Sequence, residues 1–111
     1  MPSCMNYSYM MGNLSAEVGE FQGKVCKAQR HGSISFSNDG DIWWNTNTQD
    51  EADVMIEMNQ ELMKEAGDIL WQLAGLCRVM GWNLDDIAQM NLKKLASRQK
   101  RGVIDGKGDN R

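Results

Sequence analysis

Apolar residues recur at steps of three and four along three stretches of the chain, the spacing of one face of an α-helix. The first stretch runs from about Met5 to Arg30, and Gly12-Asn13 is a potential interruption within it. Its apolar face is formed by Leu14, Val18, Phe21, Val25 and Ala28. This pattern predicts a long amphipathic helix with one face directed toward a core.

The second stretch predicts a longer helix with defined ends. It opens near Thr48 to Asp50, where Thr48 and Glu51 have the spacing of a capping box, and it ends at Gly81. Its apolar positions are Met55, Met58, Leu62, Ile69, Leu73, Leu76 and Met80. From Ile69 to Cys77 the residues are apolar on more than one face, which predicts burial on two sides, in a bundle or a subunit interface.

The third helix is predicted to begin after Asn83, a favourable N-cap, and to carry apolar residues as far as Leu95. Residues 31–48 are rich in Gly, Ser, Asn and Asp, so they are expected to form a loop with a turn at Asp39-Gly40. The fold class is therefore all-α. The 111 residues are expected to form one domain, ending in a flexible, basic, glycine-rich tail from about residue 98.

Composition narrows the class of protein further. The one proline is Pro2, so no predicted helix is broken by proline. Three cysteines without C-x-x-C spacing argue against a disulfide framework and a zinc cluster, and favour reduced thiols in a cytoplasmic protein. No signal peptide or run of about 20 apolar residues is found, so no membrane segment is expected. The net charge of −3 argues against a stable nucleic-acid partner.

Two pairs of acidic residues have helical spacing. Glu17 and Glu20 form an E-x-x-E motif, and Glu65 and Asp68 form an E-x-x-D motif. Either pair alone is a weak signal, because such pairs are frequent on solvated helix faces. At about 100° per residue, however, the first acid of each pair lies about 60° from an apolar residue of its helix, and always on the same side. If the two apolar faces pack together, the four carboxylates converge on one groove.

Converging carboxylates repel one another, and a divalent cation removes that repulsion. Carboxylate oxygens suit Mg²⁺ or Mn²⁺, and Mg²⁺ prefers a few carboxylates together with substrate phosphates. Gly19 and Gly67 lie inside the two motifs, where a glycine is explained if a ligand or another backbone comes close. A di-iron carboxylate site would need Glu-x-x-His pairs. Because His31 is the only histidine in the sequence, such a site is not expected.

With these motifs the sequence resembles the MazG-like all-α nucleoside triphosphate pyrophosphohydrolases. The resemblance rests on Glu17-x-x-Glu20, on Glu65-x-x-Asp68-Ile-Leu-Trp, on Met90-Asn91-Leu92-x-Lys94-Leu95-x-Ser97-Arg98 and on the C-terminal tail. It implies hydrolysis of nucleoside triphosphates to monophosphate and pyrophosphate with Mg²⁺, by a helical bundle that is completed by oligomerisation. Ala16 departs from the pattern, since family members often carry a second glutamate there, and substrate preference stays open.

Cations and aromatic residues complete the predicted site. Lys94 and Arg98 share a face of the third helix, and with Asn91 of the same motif and Lys24 they are the candidates for binding phosphate. Trp43 and Trp44 are candidates for stacking on the base, although packing against the core or a subunit is an equal alternative. The apolar faces of the second helix predict a homodimer or homotetramer.

Two alternatives to a general nucleotide pyrophosphohydrolase remain. One is an enzyme of narrower specificity, acting on a deoxynucleotide such as dCTP or dUTP. The other is a non-catalytic helical interaction protein whose acidic pairs are solvated. Titration with Mg²⁺ separates the second alternative, because solvated acids predict no metal-linked rise in melting temperature.

Overall fold

The computed structural model describes residues 5–102 and contains three helices and a short hairpin. In chain order the elements are α1 (Tyr7–Arg30), β1 (Ile34–Phe36), β2 (Ile42–Trp44), α2 (Gln49–Met80) and α3 (Leu84–Arg101). The predicted all-α fold class is confirmed. Helix α3 continues three residues past Arg98, and the rest of the predicted tail, residues 103–111, lies outside the described residues. None of the described helices is long and apolar enough to cross a membrane.

The helix ends follow from local side-chain chemistry. Thr48 and Glu51 form the predicted capping box, and Asn83 Oδ1 accepts hydrogen bonds from the first amides of α3. Gly81 ends α2 with φ 74°, a left-handed conformation that a residue with a Cβ rarely adopts. Helix α1 begins at the cap Asn6 and continues through Gly12-Asn13, so the potential interruption there is absent.

The region predicted as a loop contains a two-stranded antiparallel hairpin. Ile34 pairs with Trp44, and Phe36 pairs with Ile42. The predicted turn lies between the strands, where Gly40 has φ 87° and donates its amide hydrogen to Ser37 O at 3.0 Å. The prediction of a loop was wrong for these strands because the many polar residues hid a short alternation of apolar positions, which is typical of a hairpin.

Helices α1 and α2 form the largest interface of the described chain and run antiparallel. Met10 near the start of α1 packs against Gly75 late in α2, whereas Lys24 late in α1 reaches Glu65 earlier in α2. The less exposed positions recur at steps of three and four: on α1 Met10, Leu14, Glu17, Phe21, Lys24 and Ala28, and on α2 Met55, Met58, Leu62, Glu65, Ile69, Gln72 and Leu76. Val18, expected in the apolar face, is half exposed, and Glu17 lies on the interface side.

Helix α3 packs only weakly on the other described elements, and none of its residues is buried. The radius of gyration is 18.0 Å, whereas a compact domain of about 100 residues has about 13 Å. Many large apolar side chains are exposed, among them Met63, Leu70, Trp71, Met90 and Leu92. The chain by itself is therefore open, with its compact part formed by α1, α2 and the hairpin.

Candidate metal centre

Four acidic side chains approach one another where α1 crosses α2. Each pair has i, i+3 spacing, so its two carboxylates lie on the same side of its helix. Glu17 on α1 and Glu65 on α2 occupy positions of the helix interface, while Glu20 and Asp68 lie beside them and are exposed. The antiparallel packing therefore places one carboxylate from each helix inside the interface and one at its rim.

The distances are short enough for one cation to be shared. One carboxylate oxygen from each of Glu17, Glu20 and Glu65 lies within 4.8 Å of the other two. Asp68 is not in this group, but it is near enough for its charge to act on Glu17. We call Glu17, Glu20, Glu65 and Asp68 the acidic cluster.

The electrostatics of the acidic cluster are unfavourable without a cation. Loss of hydration raises the pKa of Glu17, and the neighbouring charges of Glu20, Asp68 and Glu65 raise it further. Glu17 Oε2 and Glu65 Oε2 are buried and accept no hydrogen bond from the described residues. Buried carboxylate oxygens without a donor are costly, and hard oxygen ligands of this kind fit Mg²⁺ or Mn²⁺. The residues present therefore fit a divalent cation.

Lys24 contacts the acidic cluster. Its Nζ lies 2.7 Å from Glu65 Oε1 and 3.5 Å from Glu61 Oε2. The hydrogen bond to Glu65 is the main cause that raises the pKa of Lys24. Lys64 contacts Glu61 at 3.2 Å, and that contact is the main cause that lowers the pKa of Glu61.

The candidates on the third helix lie elsewhere. Asn91 and Lys94 line an open concavity of about 530 Å³ between α2 and α3, which is otherwise apolar and includes none of the four acids among its lining residues. Arg98 is half-buried on the same helix. Within one chain, then, Lys24 contacts the acidic cluster, and Asn91 and Lys94 line a concavity that is formed without the four acids.

The two tryptophans lie on strand β2, with side chains that alternate between its faces. Trp44 is half-buried and pairs with Ile34, which is almost fully buried, whereas Trp43 is 62% exposed. The hairpin follows the end of α1, where Ser33 donates its amide hydrogen to Ala28 O at 2.9 Å. Glu20 lies ten residues before Arg30, the last residue of α1. The hairpin therefore begins about 15 Å along the helix from this acid of the cluster.

Sequence reasoning missed one charged residue that belongs to this arrangement. Glu61 lies four residues before Glu65 on α2, and both carboxylates contact Lys24 Nζ. The i, i+4 spacing of Glu61 and Glu65 was available as a signal. Which residue of α1 these two acids contact depends on the register between α1 and α2, and a single sequence does not reveal that register.

The sequence also matches a known protein family. The chain matches the model of the MazG nucleotide pyrophosphohydrolase domain over residues 6–103. The match spans most of the sequence, and the chain belongs to this family. The resemblance inferred from the motifs is thereby confirmed.

A relative is found in a bacteriophage. The Gene 37 protein of Mycobacterium phage L5 is 38% identical over 104 residues, which cover 94% of this chain and 75% of the phage protein. Its name states no activity. No solved structure was found to match the chain.

Proposed function

We propose that the protein is a Mg²⁺-dependent nucleotide pyrophosphohydrolase that converts a nucleoside or deoxynucleoside triphosphate to the monophosphate and pyrophosphate. The observation that carries the proposal is the convergence of Glu17, Glu20 and Glu65 from two helices, with ligand oxygens within 4.8 Å of one another. Family membership supports a nucleotide as the substrate. The two buried oxygens without a donor support a cation as the missing partner.

Hydrolysis of a phosphoanhydride requires charge neutralisation, alignment and an activated water molecule. Bound Mg²⁺, held by Glu17, Glu20, Glu65 and Asp68, would neutralise charge on the phosphates and on the departing pyrophosphate. Mn²⁺ would serve in the same way.

One of the four carboxylates is proposed to accept the proton of the attacking water instead of binding the cation, and Glu17 is our candidate for that role. The oxygen of water forms a bond to the α-phosphorus while its proton passes to the Glu17 carboxylate. The bond from the α-phosphorus to the bridging oxygen breaks, and pyrophosphate leaves with the electron pair of that bond.

Residues outside the acidic cluster remain candidates for contacts with the substrate. Asn91, Lys94 and Arg98 are proposed to bind phosphate, in which case α3 of a second copy, or a movement of α3, has to bring them to the acidic cluster. Lys24 was assigned to phosphate from sequence, and it already stands beside Glu65. Trp43 or Trp44 is proposed to stack on the base.

A pyrophosphate-release screen over all common ribonucleotides and deoxyribonucleotides tests the function directly. With Mg²⁺ present we expect release of pyrophosphate, not phosphate, from at least one triphosphate. Activity restricted to dCTP or dUTP would favour the narrower deoxynucleotide enzyme. If no nucleotide is hydrolysed and Mg²⁺ does not raise the melting temperature, the non-catalytic interaction protein is the better description.

Amide variants test the acidic cluster itself. Glu20→Gln and Asp68→Asn are expected to lower turnover at least 100-fold, because each removes a charged oxygen ligand while keeping the shape of the side chain. Glu57→Gln, on an exposed face of α2, is the matched control and should keep wild-type activity. Activity within a few-fold of wild type in both cluster variants, measured at saturating Mg²⁺, would remove the metal-site proposal.

A further inference from the structure

The two oxygens of Glu65 have different surroundings. Oε1 receives Lys24 Nζ at 2.7 Å, whereas Oε2 is buried and accepts no hydrogen bond from the described residues. Glu65 is also the one buried acid of the acidic cluster, with 9% of its surface exposed. A buried carboxylate needs a hydrogen-bond donor or a cation at each of its oxygens. Lys24 satisfies Oε1, so Oε2 still requires another donor or a cation.

Lys24 also contacts a second carboxylate. Its Nζ lies 3.5 Å from Glu61 Oε2, and Lys64 holds the other oxygen of Glu61 at 3.2 Å. A chain of alternating charges therefore runs from the solvated flank of α2 to the helix interface, through Lys64, Glu61, Lys24 and Glu65. Because Lys24 is fixed by two carboxylates on the neighbouring helix, its position is better determined than that of a lysine reaching into solvent.

We propose that Lys24 is a positioning residue that fixes Glu65 through one oxygen and leaves the other free to bind the divalent cation. The lysine thus acts through Glu65 rather than on the phosphates. Carboxylates that ligate a metal are commonly hydrogen-bonded on their outer side, and loss of that partner weakens metal binding. The inference rests on the proposed function only in requiring that the acidic cluster bind a divalent cation.

Three roles for Lys24 predict different effects on metal binding in the absence of nucleotide. A positioning lysine strengthens binding, so its removal weakens it. A lysine that merely replaces the cation competes with it, so its removal strengthens binding. A lysine that binds phosphate changes the KM for nucleotide and leaves metal binding without nucleotide unchanged. Metal affinity therefore distinguishes the roles by its sign.

The experiment is a titration of the full chain with Mn²⁺, without nucleotide, in which free Mn²⁺ is followed by electron paramagnetic resonance. Lys24→Met is expected to raise the Kd for Mn²⁺ by about tenfold or more. Lys27→Met is the matched control, since Lys27 lies on the same helix and is exposed, and it should stay within twofold of wild type. Glu61→Gln, which loosens Lys24 and leaves the acidic cluster intact, should raise the Kd by a smaller factor.

A conservative variant separates positioning from a general effect on folding. Lys24→Arg retains a donor for Glu65 and should recover most of the Mn²⁺ affinity lost in Lys24→Met. If wild type binds Mn²⁺ and Lys24→Met binds it equally well or more tightly, the role assigned to Lys24 is overturned while the metal site stands. If wild type itself binds no Mn²⁺, the metal site fails and this inference fails with it.

Discussion

Glu17 is the residue whose protonation links the acidic cluster to stability. Its raised pKa means that the folded chain binds a proton more tightly than the unfolded chain does. Well below the ordinary pKa of 4.5 the group is protonated in both states and contributes nothing. As pH rises through that value and through the higher folded pKa, the charged carboxylate destabilises the fold, and the full penalty applies at neutral pH.

Glu17→Gln should therefore raise the melting temperature of the metal-free protein at pH 7 to 8. The gain should disappear as the pH falls below about 4, where wild-type Glu17 is protonated whether folded or unfolded. Thermal unfolding in chelator across this range measures it, with Glu57→Gln as the control. A gain that is equal at both ends of the range would mean that the charge of Glu17 is not what destabilises the apo fold.

Trp43 and Trp44 are adjacent but should respond differently to truncation. Trp43→Ala is expected to raise the KM of every substrate by about tenfold with little change in kcat, since stacking is worth about 1–3 kcal/mol and does not select a base. Trp44→Ala should instead lower stability by about 2 kcal/mol, because this large, partly buried side chain pairs across the hairpin with buried Ile34. Measurements of KM, kcat and melting temperature for both variants distinguish a residue that stacks on the base from one that packs in the fold. An unchanged KM in both would place the base elsewhere.

At the scale of the elements, sequence periodicity and capping chemistry were sufficient to locate the three helices within residues 5–102. Thr48, Gly81 and Asn83 mark ends of helices through interactions with the nearest backbone, which a single sequence contains. The four acids were identifiable because helical geometry fixes their spacing. Their distances from one another depend on how α1 and α2 align, and so does the ion pair of Lys24 with Glu65. Such long-range pairings leave no periodic signal in one chain.

Glycines within helices α1 and α2 offer a test of how the space beside the acidic cluster is used. A Cβ added to Gly19, Gly67 or Gly23 meets no atom within 4 Å in the described chain. Each change to Ala should therefore stabilise the fold by about 1 kcal/mol through helix propensity alone. Gly19 and Gly67 lie between the acids of their motifs, whereas Gly23 lies outside them and is the control.

The three alanine variants are expected to differ in activity though not in stability. Gly23→Ala should keep wild-type turnover, while Gly19→Ala and Gly67→Ala should lose activity if substrate or a second copy occupies the space that glycine leaves. The melting temperature of each variant measures its stability, and pyrophosphate release measures its activity. Full activity in all three would mean that the two motif glycines serve no ligand.

At the scale of the whole molecule, the open shape of one chain is hard to reconcile with a stable monomer. Helix α3 has no buried residue, and the radius of gyration of 18.0 Å exceeds that of a compact domain of this length. Ile56, Met63 and Leu70 recur every seven residues along a flank of α2 and are all more than half exposed. Exposed apolar rows of this kind are typical of surfaces that are covered by another subunit.

We therefore expect a homodimer or homotetramer, with two or four times the 12.5 kDa mass of one chain by light scattering at tens of micromolar. Met63→Lys combined with Leu70→Lys should lower that mass, because burying two ammonium groups in an apolar contact is strongly unfavourable. Glu57→Lys introduces the same charge at an exposed position about 100° around the helix from Ile56 and should leave the mass unchanged. If assembly also delivers Asn91, Lys94 and Arg98 to the acidic cluster of another copy, the double variant should lose nucleotide hydrolysis while still binding Mn²⁺ without nucleotide. A wild-type protein that is monomeric at this concentration and fully active would contradict both expectations, and the third-helix cations would then have to reach the acids by movement of α3 within one chain.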